Sequence, residues 1–146
     1  MILEILSIIG SGTFFGAAIY ISIAQHPATL EAGVSVGGRF FPPMYNRAAP
    51  MQIALAVIGS ATGLILWWLE SNSWWLVGAL LLIAVIPITL ILIKPVNDIL
   101  LHPENDPDSE QTLVLLKKWG PKHWLRSIVS GASFFIYLWT ALSHQI

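Results

Sequence analysis

Four stretches without a single Asp, Glu, Lys or Arg, at residues 5–30, 48–69, 71–93 and 127–146, dominate this chain. Each is long enough to span a bilayer, because ~20 apolar residues rising about 1.5 Å each cover a hydrocarbon core of roughly 30 Å. With 10% charged residues, 55% hydrophobic residues and a mean hydropathy of +0.73, the chain lies far from the roughly one-quarter charge of a soluble domain. The stretches leave no room for a separate soluble domain. Residues 1–146 therefore read as one all-α membrane domain, a four-transmembrane-helix bundle with helices at about 2–25, 49–69, 74–94 and 122–143. Met1 to Glu4 has an acid and no base, and the apolar run after it is longer than a signal-peptide core, so the first segment is expected to remain a membrane helix.

Charge gives an expected sidedness. Every Lys and Arg falls in one of two connections: Arg39 and Arg47 in the first, and Lys94, Lys117, Lys118, Lys122 and Arg126 in or beside the second. Under the positive-inside rule this places the protein in the inner (plasma) membrane, with both long connections cytoplasmic and both termini and the Glu70–Ser73 turn outside. Trp67, Trp68, Trp74, Trp75 and Trp139 are expected at the outer headgroup layer, and Trp119 and Trp124 at the cytoplasmic one. Gly12 with Gly16, Gly59 with Gly63, and Ser127 with Gly131 form small-xxx-small faces. These allow close helix approach within one bundle or between copies, so a homo-oligomer is one of two uses left open. Pro87 should kink the third helix.

Both long connections lie on one side, which is where function is expected. The first, from about Gln25 to Ala49, is rich in Gly and Pro and reads as irregular. The second, from about Pro95 to Pro121, carries the acidic run Glu104 to Glu110. It then enters a short amphipathic interfacial helix over Gln111 to Trp119, ended by Gly120-Pro121.

Several function classes are excluded. The absence of cysteine rules out thiol redox chemistry, disulfide transfer, Fe–S ligation and Cys-based zinc sites. A net charge of −1 offers no basic field for nucleic acid. No carboxylate lies in the middle of a predicted helix, which argues against a proton-driven transporter. What does converge is a set of polar residues at the helix ends. His26 precedes Pro27, and Tyr45, Arg47 and Gln52 lead into the second helix. Asn97 and Asp98 close the third, and His123 with Arg126 open the fourth at an i, i+3 spacing that shares one face. Each residue alone could cap a helix or snorkel, yet together they meet at one membrane level, as a polar site at a bundle mouth requires. His26 and His123 could hold a metal, with Asp98, Tyr45 or His102 completing the shell, or could ligate haem axially. No HxH, HxxxH or ExxH pair supports that, so no metal or organic cofactor is the leading expectation.

The ordered set His26-Pro27-Ala28, Tyr45-Asn46-Arg47-Ala48 with Gln52, Pro95-Val96-Asn97 with Leu100, and Trp119 with His123 and Arg126 resembles the anthrone oxygenase-like family of four-helix membrane proteins. The resemblance implies oxidation of a lipophilic aromatic molecule; characterised fungal members convert a tricyclic anthrone to an anthraquinone with O2. It places function on His26, Tyr45, Arg47, Gln52, Asn97, Trp119, His123 and Arg126. An anthrone has an acidic C–H, so a neutral imidazole can remove the proton and the carbanion can reduce O2. On this reading His123 or His26 is the base, and Arg47, Arg126 and Asn97 stabilise the anions. Tyr45, Gln52 and Trp119 bind a flat apolar substrate arriving from the bilayer. The partners are then a lipophilic small molecule, O2 and membrane lipids. The alternatives are a non-enzymatic small-molecule-binding, lipid-binding or scaffold protein, and a His-ligated metal or haem membrane protein.

Overall fold

The computed structural model of this chain describes residues 1–143, which form four long helices and contain no strand. These are α1 (Ile2–Glu31), α2 (Val34–Glu70), α3 (Ser73–Leu100) and α4 (Glu110–Ser143), each long and apolar enough to cross a membrane. α1 and α3 each pack against both α2 and α4, and α2 and α4 also touch across the middle, which makes a four-helix membrane bundle. The surface is apolar and the interior unusually polar: Ile23, Ile53, Trp68, Ile91, Ile128 and Phe135 are exposed, whereas Ser7, Ser11, Ser22, Ser127, Ser130 and Ser133 are buried. Lipid tails are as apolar as leucine, so small polar residues bond the helices together beside the apolar clusters around Phe14, Trp75 and Trp119. Ser7 Oγ donates to Thr62 Oγ1 at 2.8 Å between α1 and α2, and Ser133 Oγ donates to the Gly78 carbonyl at 2.7 Å between α4 and α3.

Glycines set the closest approaches. A Cβ at Gly10 would lie 2.8 Å from the Gly59 nitrogen, and one at Gly63 would lie 2.6 Å from Cζ of Tyr137, whose hydroxyl donates to the Gly59 carbonyl at 3.1 Å. Gly12 and Gly131 face Phe134 and Phe15 of the same chain, whereas Gly16 meets nothing within 4 Å. Most of the small-residue faces thus serve contacts inside the bundle.

The helices are longer than the sequence predicts, and the two long loops are correspondingly shorter. α2 begins at Val34 rather than near residue 49 and runs through Pro42, Pro43 and Pro50. Proline fixes φ near its helical value and omits one donor, a loss that a membrane helix with close neighbours tolerates. The expected irregular first loop therefore contracts to a turn around Gly33, whose φ of +99° favours glycine. α4 begins at Glu110 and continues through Gly120-Pro121, so the expected separate interfacial helix over Gln111 to Trp119 is the first part of the fourth span. Ser109 caps that helix, its Oγ accepting from the Thr112 N–H at 3.2 Å.

α1 and α3 also continue past prolines, with a local change of backbone. Wide π-type turns occupy Ile21–Gln25 in α1 and Thr89–Ile93 in α3. Pro27 and Pro95 cannot donate to the carbonyls of Ile23 and Ile91 four residues earlier, and the widened turn absorbs each missing bond. In α3 the departure from α geometry therefore starts at Thr89, after Pro87.

Trp67, Trp68, Trp74 and Trp139 are exposed, whereas Trp75 is fully buried against Tyr137 and donates to Glu70 Oε2 at 2.7 Å. Trp119 is buried within the bundle. At the end opposite the Glu70–Ser73 turn, the connection between α3 and α4 docks on α2. Arg39 donates to both carboxylate oxygens of Asp108, at 2.8 and 2.6 Å, and a Cβ at Gly38 would lie 2.8 Å from Pro107 Cα. The Arg39 guanidinium bonded to Asp108 holds that carboxyl well below the usual range, at about 2.

Candidate functional site

The two π turns border a cavity of about 200 Å³ reached by all four helices. Ile21 from α1 and Thr89, Leu90 and Ile93 from α3 line it, so both proline-induced irregularities face the same space. Such turns are rare and concentrate at functional sites. The cavity exceeds the roughly 150 Å³ that admits a benzene ring. Its walls are mostly apolar, and Ile53, Val57, Ile86 and Leu90, which line it from α2 and α3, are also exposed on the outer surface. An opening between α2 and α3 thus faces the lipid.

Six of the eight sequence-predicted residues meet at this cavity: Tyr45, Gln52, Asn97, Trp119, His123 and Arg126. Asn97 is buried on α3, and its Oδ1 accepts from the Trp119 indole N–H at 2.8 Å. Trp119 in turn stacks on His123, with ring centroids 4.5 Å apart and planes 20° apart. His123 is 1% exposed, and its Nδ1 lies 2.9 Å from Ser22 Oγ, which is also 2.9 Å from Ser127 Oγ. Arg126, one turn along α4, donates to Gln52 Oε1 and to Thr89 Oγ1, and its guanidinium lies 5.3 Å from the centre of the Phe14 ring. Among the described residues no acidic side chain lines the cavity, and the ion pairs all lie elsewhere.

Two predicted residues lie apart. Arg47 is exposed on α2 and is absent from the cavity wall. His26 lines a separate small cleft of about 10 Å³, packed beside Trp119 at 5.1 Å and against Gly120, where a Cβ would lie 2.9 Å from its Nε2. Trp119 borders both spaces, with its ring against each imidazole. Of the other candidate ligands Tyr45 lines the cavity, whereas Asp98 and His102 are exposed; Asp98 pairs with Lys94 at 2.6 Å. Among the described residues no three His, Cys, Asp or Glu side chains cluster as a metal site.

Ser22, Ser127, Thr89 and Phe14 contact the predicted set but escape sequence reasoning. Ser and Thr within an apolar span normally return a hydrogen bond to the preceding turn, as Thr89 does to the Val85 carbonyl at 2.7 Å. Only the packing of α1 on α4 distinguishes Ser22 from the other buried serines. Comparison with known proteins adds one match: the family model for anthrone oxygenase covers residues 41–136, spanning all of α3 and most of α2 and α4. No curated protein and no solved structure matches the chain.

Proposed function

This chain belongs to the anthrone oxygenase family, and from that membership and the cavity together we propose that it oxidises a lipophilic aromatic small molecule with O2. The observation that carries the reading is the meeting of His123, Arg126, Asn97, Gln52, Tyr45 and Trp119 around one apolar space open to lipid. Substrate enters between α2 and α3, and Tyr45 and Trp119 form aromatic walls of the space that takes its flat body. By the distribution of Lys and Arg, the site lies near the cytoplasmic face of the plasma membrane.

The hydrogen-bond chain favours His123 as base. Ser127 Oγ donates to the His123 carbonyl at 3.4 Å. We therefore assign Ser22 as donor to Ser127, with its oxygen accepting from His123 in the Nδ1–H tautomer. In that tautomer Nε2 carries the lone pair, and His123 lines the cavity. Nε2 removes the acidic C–H proton of an anthrone-like substrate, and the Arg126 guanidinium stabilises the resulting enolate. The electron-rich carbanion reduces O2, forming a C–O bond at the same carbon. The His123 imidazolium protonates the resulting peroxide anion, and removal of the second hydrogen on that carbon by Nε2 then breaks the O–O bond, leaving a second carbonyl as the departing oxygen leaves as water. One substrate and one O2 give one quinone and one H2O, with His123 returning its proton to the departing oxygen. No organic cofactor or metal is required by this balance. Arg47, on the outer surface of α2, is left as a headgroup anchor.

The test is O2 uptake by purified protein in nanodiscs with a model anthrone. The wild type should consume O2 and form anthraquinone, and His123→Ala should reduce uptake by about 10²-fold or more, as loss of a general base typically does. An unchanged rate in a folded His123→Ala variant rejects this role. A specific observation favours one competing reading: the buried polar groups also suit a binding protein, which would retain substrate without turnover.

A further inference from the structure

The unsatisfied atoms at the cavity are all donors. Arg126 Nε and Gln52 Nε2 are buried and have no hydrogen-bond partner, while the remaining bonds of Arg126 go to neutral oxygens of Gln52 and Thr89. Among the described residues the guanidinium is the cavity's only permanent cation, and no carboxylate lines the wall. A cation held within a membrane bundle without a counterion is costly, and leaving buried donors unpaired adds to the cost. What completes such a site is a group with negative charge and several acceptor lone pairs, on which planar guanidinium and amide donors can converge. The rest of the wall is apolar and leads to the lipid between Ile53 and Val57 on one side and Ile86 and Leu90 on the other. A free inorganic anion would leave that surface unused.

We propose that the cavity receives the oxyanion of a lipophilic weak acid, a phenolate or a carboxylate, with its charge at Arg126 and Gln52 and its apolar body directed toward the α2–α3 opening. The inference rests on this cavity being the working site, as proposed above, but not on any oxidation there. It says that the ligand carries its negative charge on binding, whereas the oxidation mechanism needs an anion only after proton removal. The other titratable groups at the cavity are His123 and Tyr45, and neither contributes a carboxylate that would compete for Arg126.

The experiment uses the full chain in phosphatidylcholine nanodiscs, which carry no net headgroup charge. 2-Naphthol absorbs differently as naphthol and as naphtholate. Added to the wild type it should ionise about one pH unit lower than in empty nanodiscs, corresponding to roughly a tenfold preference for the anion. 2-Naphthoate should bind at least about tenfold more tightly than the uncharged 2-naphthamide. The two probes also tell a phenolate receptor from a carboxylate receptor. Arg126→Gln should abolish both differences, and Gln52→Leu, which keeps the cation, should reduce them partially. If Arg126→Gln does not fold, the wild-type comparison and Gln52→Leu still decide. Identical naphthol ionisation in wild-type and empty discs, with equal naphthoate and naphthamide affinity, overturns the proposal. So does displacement of both probes by added phosphatidylglycerol or by chloride, which would assign the donors to a lipid headgroup or a simple ion. Anion selectivity without O2 uptake would reject the oxidation reading alone, and O2 uptake without anion selectivity would reject this inference alone.

Discussion

Replacing Ser22 with Ala tests the geometry around the proposed base most directly. Ser22 Oγ stands 2.9 Å from His123 Nδ1 and 2.9 Å from Ser127 Oγ, and it belongs to α1 whereas both partners belong to α4. The substitution therefore cuts two hydrogen bonds between helices. Bonds of this kind inside membranes contribute about 0.6 kcal/mol on average and about 1.7 kcal/mol at most, so the pair accounts for about 1–3 kcal/mol. Stability alone does not separate a positioning residue from a packing one, but the tautomer of His123 does. With Ser22 accepting, the proton sits on Nδ1; without it, both nitrogens compete for the proton. The ¹⁵N signals of His123, assigned by their absence in His123→Gln, should report a single Nδ1–H tautomer in the wild type and a mixture in Ser22→Ala. Ser22→Thr, which keeps the hydroxyl, should restore the single tautomer. Turnover of Ser22→Ala should fall through kcat more than through KM, because binding of the flat substrate does not involve Ser22. An unchanged tautomer in Ser22→Ala, with an unfolding midpoint equal to wild type, refutes the argument.

Three further outcomes follow from other contacts. Gly63→Ala drives a methyl group into Tyr137 and should cost about 1–3 kcal/mol in detergent unfolding, and Tyr137→Phe in the same chain should recover part of it, because the displaced hydroxyl is gone; strictly additive effects would contradict the close approach. Asp108→Asn releases the α3–α4 connection from Arg39, so in a Glu104→Cys background, where the added thiol is unique, labelling at pH 7 should be faster than with Asp108 intact. The Asp108 carboxyl is held at about 2, below its unfolded value near 3.8, so its contribution is present above about pH 4 and disappears as pH falls toward 2; a labelling difference that vanished between pH 5 and 8 would contradict that sign. Gly120→Ala should press on the His26 ring and perturb its NMR signals, leaving the His123 signals close to wild type, since the two rings line different cavities.

Much of this molecule is legible in its residues, and the parts that are not share a cause. Four uncharged stretches specify four spans because hydrocarbon thickness sets a length. The i, i+3 spacing of His123 and Arg126 puts both on one cavity wall because helical periodicity does not depend on the neighbours. Prolines are where the reading fails. Pro27, Pro95 and Pro121 read as helix ends and Pro42, Pro43 and Pro50 as parts of an irregular loop, yet helix passes all six. Local propensity measures the cost of a missing donor in water, where an interrupted helix can hydrogen-bond to solvent; in a membrane bundle stopping the helix exposes more unpaired backbone than continuing it. The same bias makes His26 look like a helix terminus and places it at the mouth, whereas the continuing helix carries it into the cleft beside Trp119. The position of Arg47 away from the cavity wall is not legible for a different reason, since its rotation about α2 depends on which face of α2 meets α1 and α3.

The buried pair Asn97 and Trp119 decides whether the interior is held by specific polar bonds or by packing alone. Their 2.8 Å bond joins α3 to α4 where the cavity interrupts the apolar core, and Trp119 also carries the stack on His123. Trp119→Phe removes the N–H and orphans the Asn97 acceptor; Asn97→Leu orphans the Trp119 donor. Each single change should cost about 1–3 kcal/mol for the unpaired group, and Trp119→Phe should lose somewhat more because a smaller ring fills the site. The double variant leaves neither partner orphaned, so its cost should fall short of the sum of the singles by about 1 kcal/mol or more. Additive losses in reversible detergent unfolding would mean that each side chain acts through volume only. The indole would then be free to turn away from His123, and the partition between the two cavities would no longer be fixed by a hydrogen bond.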